Sequence, residues 1–167
     1  MKKIVVIGCP GSGKSTLSIK LNQILNIPLH HLDMMYWNSD KSTVERSVFI
    51  QRLENVLDND SWIIDGNYIS TMALRLSHCD TVIFLDYPTK VCLEGINERK
   101  NKPRPDMPWV EKSGEEDEDF IQYVKGFNKN IRPQIVKLLE ERCEKRIIVL
   151  KSCKQCEKFL SEIKSYL

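Results

Sequence analysis

Apolar residues come along this chain in short unbroken runs, at Lys2 to Gly8, Ile27 to Leu32, Trp62 to Asp65, Thr81 to Asp86 and Arg146 to Leu150. Between the runs they recur every three or four positions. An unbroken run suits a strand buried on both faces, whereas the three-to-four spacing is that of an amphipathic helix. The pattern therefore predicts strands alternating with helices, and so a parallel sheet covered on both faces.

The helical stretches carry their own punctuation. Ser15 to Leu25 places Leu17, Leu21, Ile24 and Leu25 on one face. Thr43 to about Leu57 opens with Ser42 and Glu45 in capping-box spacing and is expected to bury Val44, Val48, Ile50, Leu53 and Leu57. Pro88 suits the first residue of a helix running to about Lys100, and Ser152 suits the cap of the last helix, with Phe159, Leu160 and Ile163 inward. A long helical pattern runs from about Asp117 to Arg142, with Pro133 predicting a kink near Arg132 or a break into two helices. The acidic stretch Glu115 to Asp119 before it suits a solvated first turn; a partner or metal surface is the other reading. From Asn101 to Glu116 three prolines and no periodicity exclude a regular element.

One segment carries chemistry outright. Gly8 to Ser15 read G-C-P-G-S-G-K-S, a full match to the phosphate-cradling G-x-x-x-x-G-K-[ST] pattern, placed between a strand and a helix. A loop that wraps a polyphosphate aims successive backbone N–H groups inward, which calls for glycine's conformational freedom. Gly8, Cys9, Pro10, Gly11, Ser12, Gly13 and Thr16 would line the phosphates, Lys14 would sit on the β- and γ-phosphates, and the Ser15 hydroxyl would ligate Mg²⁺.

Composition narrows the partners. The chain of 167 residues has 25 Lys and Arg against 23 Asp and Glu, a net charge of +2, which forms no strong footprint for nucleic acid or an anionic membrane. The opening M-K-K-I-V-V-I-G is too short an apolar run for a signal peptide or spanning helix, so a cytoplasmic protein is expected, as a monomer or weak homodimer. Its six cysteines, Cys143 among them, are then expected to stay thiols, and the lone C-x-x-C of Cys153 and Cys156 lacks the second pair of a four-cysteine zinc site.

Phosphoryl transfer needs Mg²⁺, positioned oxygens and cations on the moving group. Ligands bind at the carboxyl ends of parallel strands, so acids there are candidates. Asp65 ends W-I-I-D-G and fits an acid holding a Mg²⁺-bound water opposite Ser15, with Gly66 and Asn67 following it; capping the next turn is its other reading. Asp33, just past the second strand, fits a base for an acceptor hydroxyl, a binder of the acceptor's polar group, or a cap. Asp86 fits a helix cap as well as a site residue, and His30 and His31 fit structural or substrate-lining roles. Arg75, Arg99, Arg104 and Arg132 are the arginines placed to meet phosphate or acceptor, whereas Arg46, Arg52, Arg142 and Arg146 suit the surface. Lys151 and Ser152, where the last strand gives way to the last helix, would lie by the base; Trp37 and Tyr36 would grip an acceptor ring or fill the core.

The combination V-I-G-C-P-G-S-G-K-S, H-H-L-D, S-W-I-I-D-G-N-Y, T-V-I-F-L-D-Y-P and K-P-R-P-D-M resembles the small bacterial P-loop proteins called DNA topology modulation proteins, which look like adenylate kinases. The resemblance implies a P-loop NTPase fold of the nucleoside-monophosphate-kinase type across 1–167. Its sheet would have five parallel strands, with helices on both faces and a lid-like insert at about 100–131. It also implies ATP with Mg²⁺ as donor, Asp65 as the acid of the D-G motif and Arg99 as the arginine at the lid entrance. Two departures stand out: D-G-N-Y-I replaces D-G-F-P-R, removing the monophosphate-gripping arginine, and H-L-D replaces T-G-D. Arg75 is the substitute within reach in sequence, and an acid after the second strand looks more like shikimate and gluconate kinases, whose acceptors carry alcohols.

The residues together predict an ATP-dependent small-molecule phosphotransferase. Its catalytic set would be Lys14, Asp33, Asp65, Arg99 and Arg132, and its acceptor set Asp33, Trp37, Gly66, Asn67, Arg75 and Arg104. A nucleotide or nucleoside is the first acceptor, a hydroxylated metabolite the second, and a nucleotide-dependent regulator associated with DNA topology is the rival. A GTPase is disfavoured, since Asn101-Lys102-Pro103-Arg104 lacks the acid of a guanine-reading N-K-x-D.

Overall fold

A computed structural model describes residues 1–114, 117–141 and 144–166. Each apolar run becomes a strand: β1 (Lys3–Gly8), β2 (Leu29–His31), β3 (Trp62–Asp65), β4 (Thr81–Leu85) and β5 (Arg146–Leu150). They pair in parallel in the order β2-β3-β1-β4-β5. Every residue of β3 and β4 is buried, so the middle of the sheet is covered on both faces, as unbroken apolar runs require. The helices are α1 (Lys14–Leu25), α2 (Leu32–Tyr36), α3 (Arg46–Leu57), α4 (Ile69–His78), α5 (Thr89–Arg99), α6 (Glu118–Asn130), α7 (Arg132–Glu140) and α8 (Cys153–Ser165). α1 packs on β1, β2 and β3 with α8 beside it, while α4 packs on β1 and touches α3 and α7.

Several elements differ from their sequence expectation for local reasons. β2 is half as long as the apolar run because Leu32 already starts α2, which puts Asp33 in that helix's first turn. Ser42 does not cap α3: its N–H and hydroxyl both donate to Asp40 Oδ1, at 2.9 and 2.6 Å. A Trp37–Thr43 bridge then holds the chain extended, and α3 starts only at Arg46. The later start turns the buried face to Phe49, Leu53, Val56 and Leu57, and leaves Val48 exposed and Ile50 half-buried. Pro88 stands one residue outside α5 as its cap.

The long helical pattern breaks at Ile131. Pro133 falls in the first turn of α7, where its missing N–H removes no intrahelical bond. Asp117 caps α6 through the Phe120 N–H at 3.0 Å, with Glu118 and Asp119 in the first turn; Glu115 and Glu116 lie outside the described residues, as do Arg142 and Cys143. Ser152 caps α8 through the Gln155 N–H. Cys9, Cys79, Cys92, Cys153 and Cys156 are thiols.

Candidate active site

The turn after β1 is built by close approach. At Gly11, with φ of 81°, a Cβ would stand 2.0 Å from the Cys92 carbonyl, and a Cβ on Gly95 would stand 2.1 Å from the Gly11 carbonyl. α5 is thus pressed against the phosphate loop by a glycine pair, one member of which the motif did not reveal. Within the loop, Ser12 N–H donates to Cys9 O at 3.1 Å and Lys14 Nζ donates to the same carbonyl at 3.2 Å. Burial pushes the Lys14 pKa down, and the carboxylates of Asp65 and Asp33 pull it back up. Its ammonium therefore stands in the field of both acids.

The two acids are placed by different partners. Asp65, 4% exposed at the end of β3, accepts from His31 Nδ1 at 2.9 Å through Oδ1, while Oδ2 is buried with no hydrogen-bond partner. Burial opposes the charging of His31, yet the bond to Asp65 and the nearby Asp106 and Asp33 carboxylates raise its pKa. Asp33 accepts from the Tyr68 hydroxyl at 2.7 Å. Burial raises the Asp33 pKa above the usual carboxylate range, against the lowering effect of Tyr68 and Lys14. A carboxyl group shifted upward in this way is better matched to accepting a proton near neutral pH.

The proline-rich insert covers the loop with side chains. Its neck is closed by Asn101, whose N–H donates to Glu111 O and whose side chain pairs with Ser113. Asp106 accepts from Ser15 Oγ at 2.6 Å and from Arg104 Nε and Nη2, each at 3.1 Å. Glu111 accepts from Arg104 Nη1 at 3.2 Å and from Arg99 Nη2 at 2.8 Å, and the Arg99 guanidinium lies 5.6 Å from the centre of the Phe120 ring. Arg99 from the end of α5 and Arg104 from the insert meet on one carboxylate.

Other predicted residues are placed elsewhere. Arg75, predicted on the acceptor side, is fully buried and donates to the main-chain carbonyls of Gly66 at 2.9 Å, of Asn67 and of Tyr68 at 3.2 Å. Burial pushes its pKa down to about 10. Its Nε has no partner, so the side chain is the internal brace of the turn after β3. Asn67, also predicted on the acceptor side, is tied to the phosphate loop: its amide accepts from Gly8 N–H at 3.1 Å and donates to Gly8 O at 2.7 Å. Gly66, with φ of 126°, is the tight exit that lets the turn pass 2.9 Å from Leu32 Cβ, measured from the Cβ it lacks.

Arg132 is committed to Asp86, with Nε and Nη2 donating to its two oxygens at 2.7 and 2.8 Å. Asp86 takes that bidentate pair in place of a helix-capping role. Register sets Gly8 beside Leu85 and Leu85 beside Leu150, so Lys151 and Ser152 leave the sheet two strands from the phosphate loop, at its carboxyl edge. They line that edge through the backbone, since Lys151 N–H and the Ser152 hydroxyl both bond to Gln155. Trp37 packs edge-on at 5.6 Å against Trp109 of the insert and at 5.2 Å against Tyr36, which also meets Phe49 and Tyr68. A cleft of about 410 Å³ beside this aromatic group is lined by Tyr36, Tyr68, Val44 and Arg46 among others.

Asp106, Glu111, Trp109 and the His31–Asp65 bond were not individually foreseen. The only trace of Asp106, Glu111 and Trp109 in the sequence is acidic and aromatic residues inside an aperiodic segment; His31 and Asp65 are both sequence candidates, but no spacing rule pairs them across the fold.

The residues present fit Mg²⁺ with a nucleotide. No group of three or more His, Cys, Asp or Glu side chains that could hold a metal by itself occurs among the described residues. Mg²⁺ bound with phosphates needs only one or two protein oxygens besides waters, and the Ser15 hydroxyl together with the unpartnered Asp65 Oδ2 offers such oxygens. Among the described residues no helix is long and apolar enough to cross a membrane.

A five-stranded parallel sheet in the order 2-3-1-4-5, with a phosphate loop after its central strand, defines a P-loop nucleotide-binding fold. No family model matches the chain, and no curated protein matches it in sequence. Solved structures do match over nearly its whole length. Shikimate kinase from Acinetobacter baumannii in complex with shikimate has a TM-score of 0.65 at 15% identity, covering 99% of this chain and 92% of that one. A gluconokinase from Sinorhizobium meliloti 1021 has a TM-score of 0.57 at 15% identity, covering 98% and 90%. Shikimate kinase from Aquifex aeolicus has a TM-score of 0.56 at 21% identity, covering 98% and 94%. At such identities the likeness is one of fold, that of small P-loop kinases; the narrower resemblance to DNA topology modulation proteins finds no counterpart among these three.

Proposed function

We propose that the chain is an ATP- and Mg²⁺-dependent phosphotransferase acting on a hydroxyl group of a small molecule, with residues 100–131 as its lid. The observation that carries this reading is the meeting of Lys14, Asp33 and Asp65 at the carboxyl edge of the sheet, with Tyr68 holding Asp33 and His31 holding Asp65. A nucleoside or a hydroxylated metabolite suits the site better than a nucleoside monophosphate, because Arg75, the residue nearest in sequence to the missing phosphate-gripping arginine, is spent on main-chain carbonyls.

The roles divide as follows. The loop N–H groups and Lys14 hold the triphosphate and neutralise charge on the transferred group. Ser15 and, through water, Asp65 would hold Mg²⁺, which when bound would offset the charge of the phosphates. Asp33 takes the proton of the acceptor hydroxyl, for which its raised pKa suits it. Arg99 and Arg104 bring charge to the closed site from the insert, and the insert excludes water that would otherwise hydrolyse ATP. Trp37 and Trp109 close the acceptor side.

The test is ADP release with Mg²⁺-ATP against separate panels of nucleosides, nucleoside monophosphates and polyhydroxy acids. A hydroxyl acceptor that raises turnover well above the acceptor-free rate is the expected result. Normal ATP binding with no acceleration by any panel counts against a kinase.

A further inference from the structure

Among the described residues of the insert, Asp106 is the carboxylate that bonds to the phosphate loop. It is 8% exposed, and its Oδ2 lies 2.6 Å from Ser15 Oγ, the hydroxyl of the loop's G-K-S end. Across the site, Asp65 Oδ2 is buried without a partner. Buried charged oxygens are ordinarily paired or coordinate a metal. Arg104 donates to both Asp106 oxygens, through Nε to Oδ1 and Nη2 to Oδ2 at 3.1 Å each, and so fixes the carboxylate against the loop. The 2.6 Å between the two oxygens is that of a charge-assisted hydrogen bond, and it sets a hydroxyl and a carboxylate oxygen, both of the kind Mg²⁺ takes, side by side.

We infer that Asp106 is a protein ligand of the Mg²⁺ that accompanies ATP, delivered by the insert, with the Ser15 hydroxyl keeping its proton and turning it away from Asp106 when both oxygens face the metal. The inference rests on the nucleotide-site reading of Gly8 to Ser15. It makes insert closure and metal binding one event. Arg104 holds the carboxylate in place, and Glu111 couples it to Arg99 at the root of the insert. Without metal, the same carboxylate would repel the triphosphate.

The experiment is calorimetric titration of the full chain with the non-hydrolysable imido analogue of ATP, once in Mg²⁺ and once in EDTA. It compares wild type, Asp106→Asn and Glu111→Gln, with a thermal melt of each to confirm folding. For Asp106→Asn the expected result is affinity lower by at least about 10–100-fold in Mg²⁺, the scale set by loss of groups that support a metal site, with equal or tighter binding in EDTA. Glu111→Gln keeps Asp106 but loosens its tie to Arg99, and should shift the ratio between the two conditions in the same direction by less than Asp106→Asn does. A change of equal size in both conditions, or tighter binding in Mg²⁺, overturns the inference and makes Asp106 a latch that nucleotide must expel. If wild type binds the analogue in neither condition, the nucleotide-site reading itself falls and the inference with it.

Discussion

The two ends of the cleft are built by opposite means. On the donor side the backbone does the work: Gly8 to Ser15 form a loop whose shape follows from glycine and from the close approach of Gly11 to α5. On the acceptor side the groups are side chains from distant segments. Asp33 is held by Tyr68, and Asp65 beside it by His31, the pairs 35 and 34 residues apart. A loop made by backbone leaves little freedom in what it binds, whereas a pocket made by paired side chains is re-specified when one pair changes. The same triphosphate cradle can therefore serve different acceptors.

Four substitutions probe this division, the most severe on the donor side. Lys14→Ala should lower turnover by about 10³–10⁵-fold, the scale on which a cation acts on a transferred phosphoryl group, with the melting temperature unchanged. Undiminished ADP release would remove the donor half of the comparison.

Asp33→Asn should lower kcat by about 10²–10⁴-fold while leaving ATP affinity alone. Burial raises the Asp33 pKa in the folded protein, so its ionisation weakens the fold as pH rises through that pKa, and the neutral amide should melt at a higher temperature at pH 7. In wild type the acidic limb of kcat should fall above the ordinary carboxylate range; a rate flat down to pH 4 would take the base role from Asp33.

Arg75→Met sharpens the line between brace and grip. Loss of its bonds to three carbonyls should cost about 3 kcal/mol, or roughly 6–12 °C in melting temperature, with acceptor KM unaltered. A raised KM at unchanged stability would return Arg75 to the acceptor. The mildest effect is expected from Asn67→Ala, which unties the turn after β3 from Gly8: ATP affinity should weaken by about fivefold, or roughly 1 kcal/mol. An effect on acceptor KM alone would contradict its place on the donor side.

The same division decides what could be read from the sequence. All five strands and the phosphate loop were legible because apolar runs and glycine spacing are local signals. The α6–α7 break was foreshadowed by Pro133. The start of α3 was misplaced because Ser42 answers to Asp40 two residues back rather than to a helix ahead. Arg75 and Asn67 were placed at the acceptor on chain position alone, and only the fold shows that their partners are main-chain groups. The insert's ion network was illegible, since Asp106, Glu111, Arg99 and Arg104 find one another through a loop without periodicity.

The central claim is that phosphoryl leaves this loop for a hydroxyl held at Asp33. The direct test is phosphorus NMR of the product made from Mg²⁺-ATP and whichever acceptor accelerates ADP release. The account predicts a phosphate monoester whose formation is lost in both Lys14→Ala and Asp33→Asn. A phosphoanhydride, the product of transfer to a nucleoside monophosphate, or a monoester formed undiminished by Asp33→Asn, would contradict it.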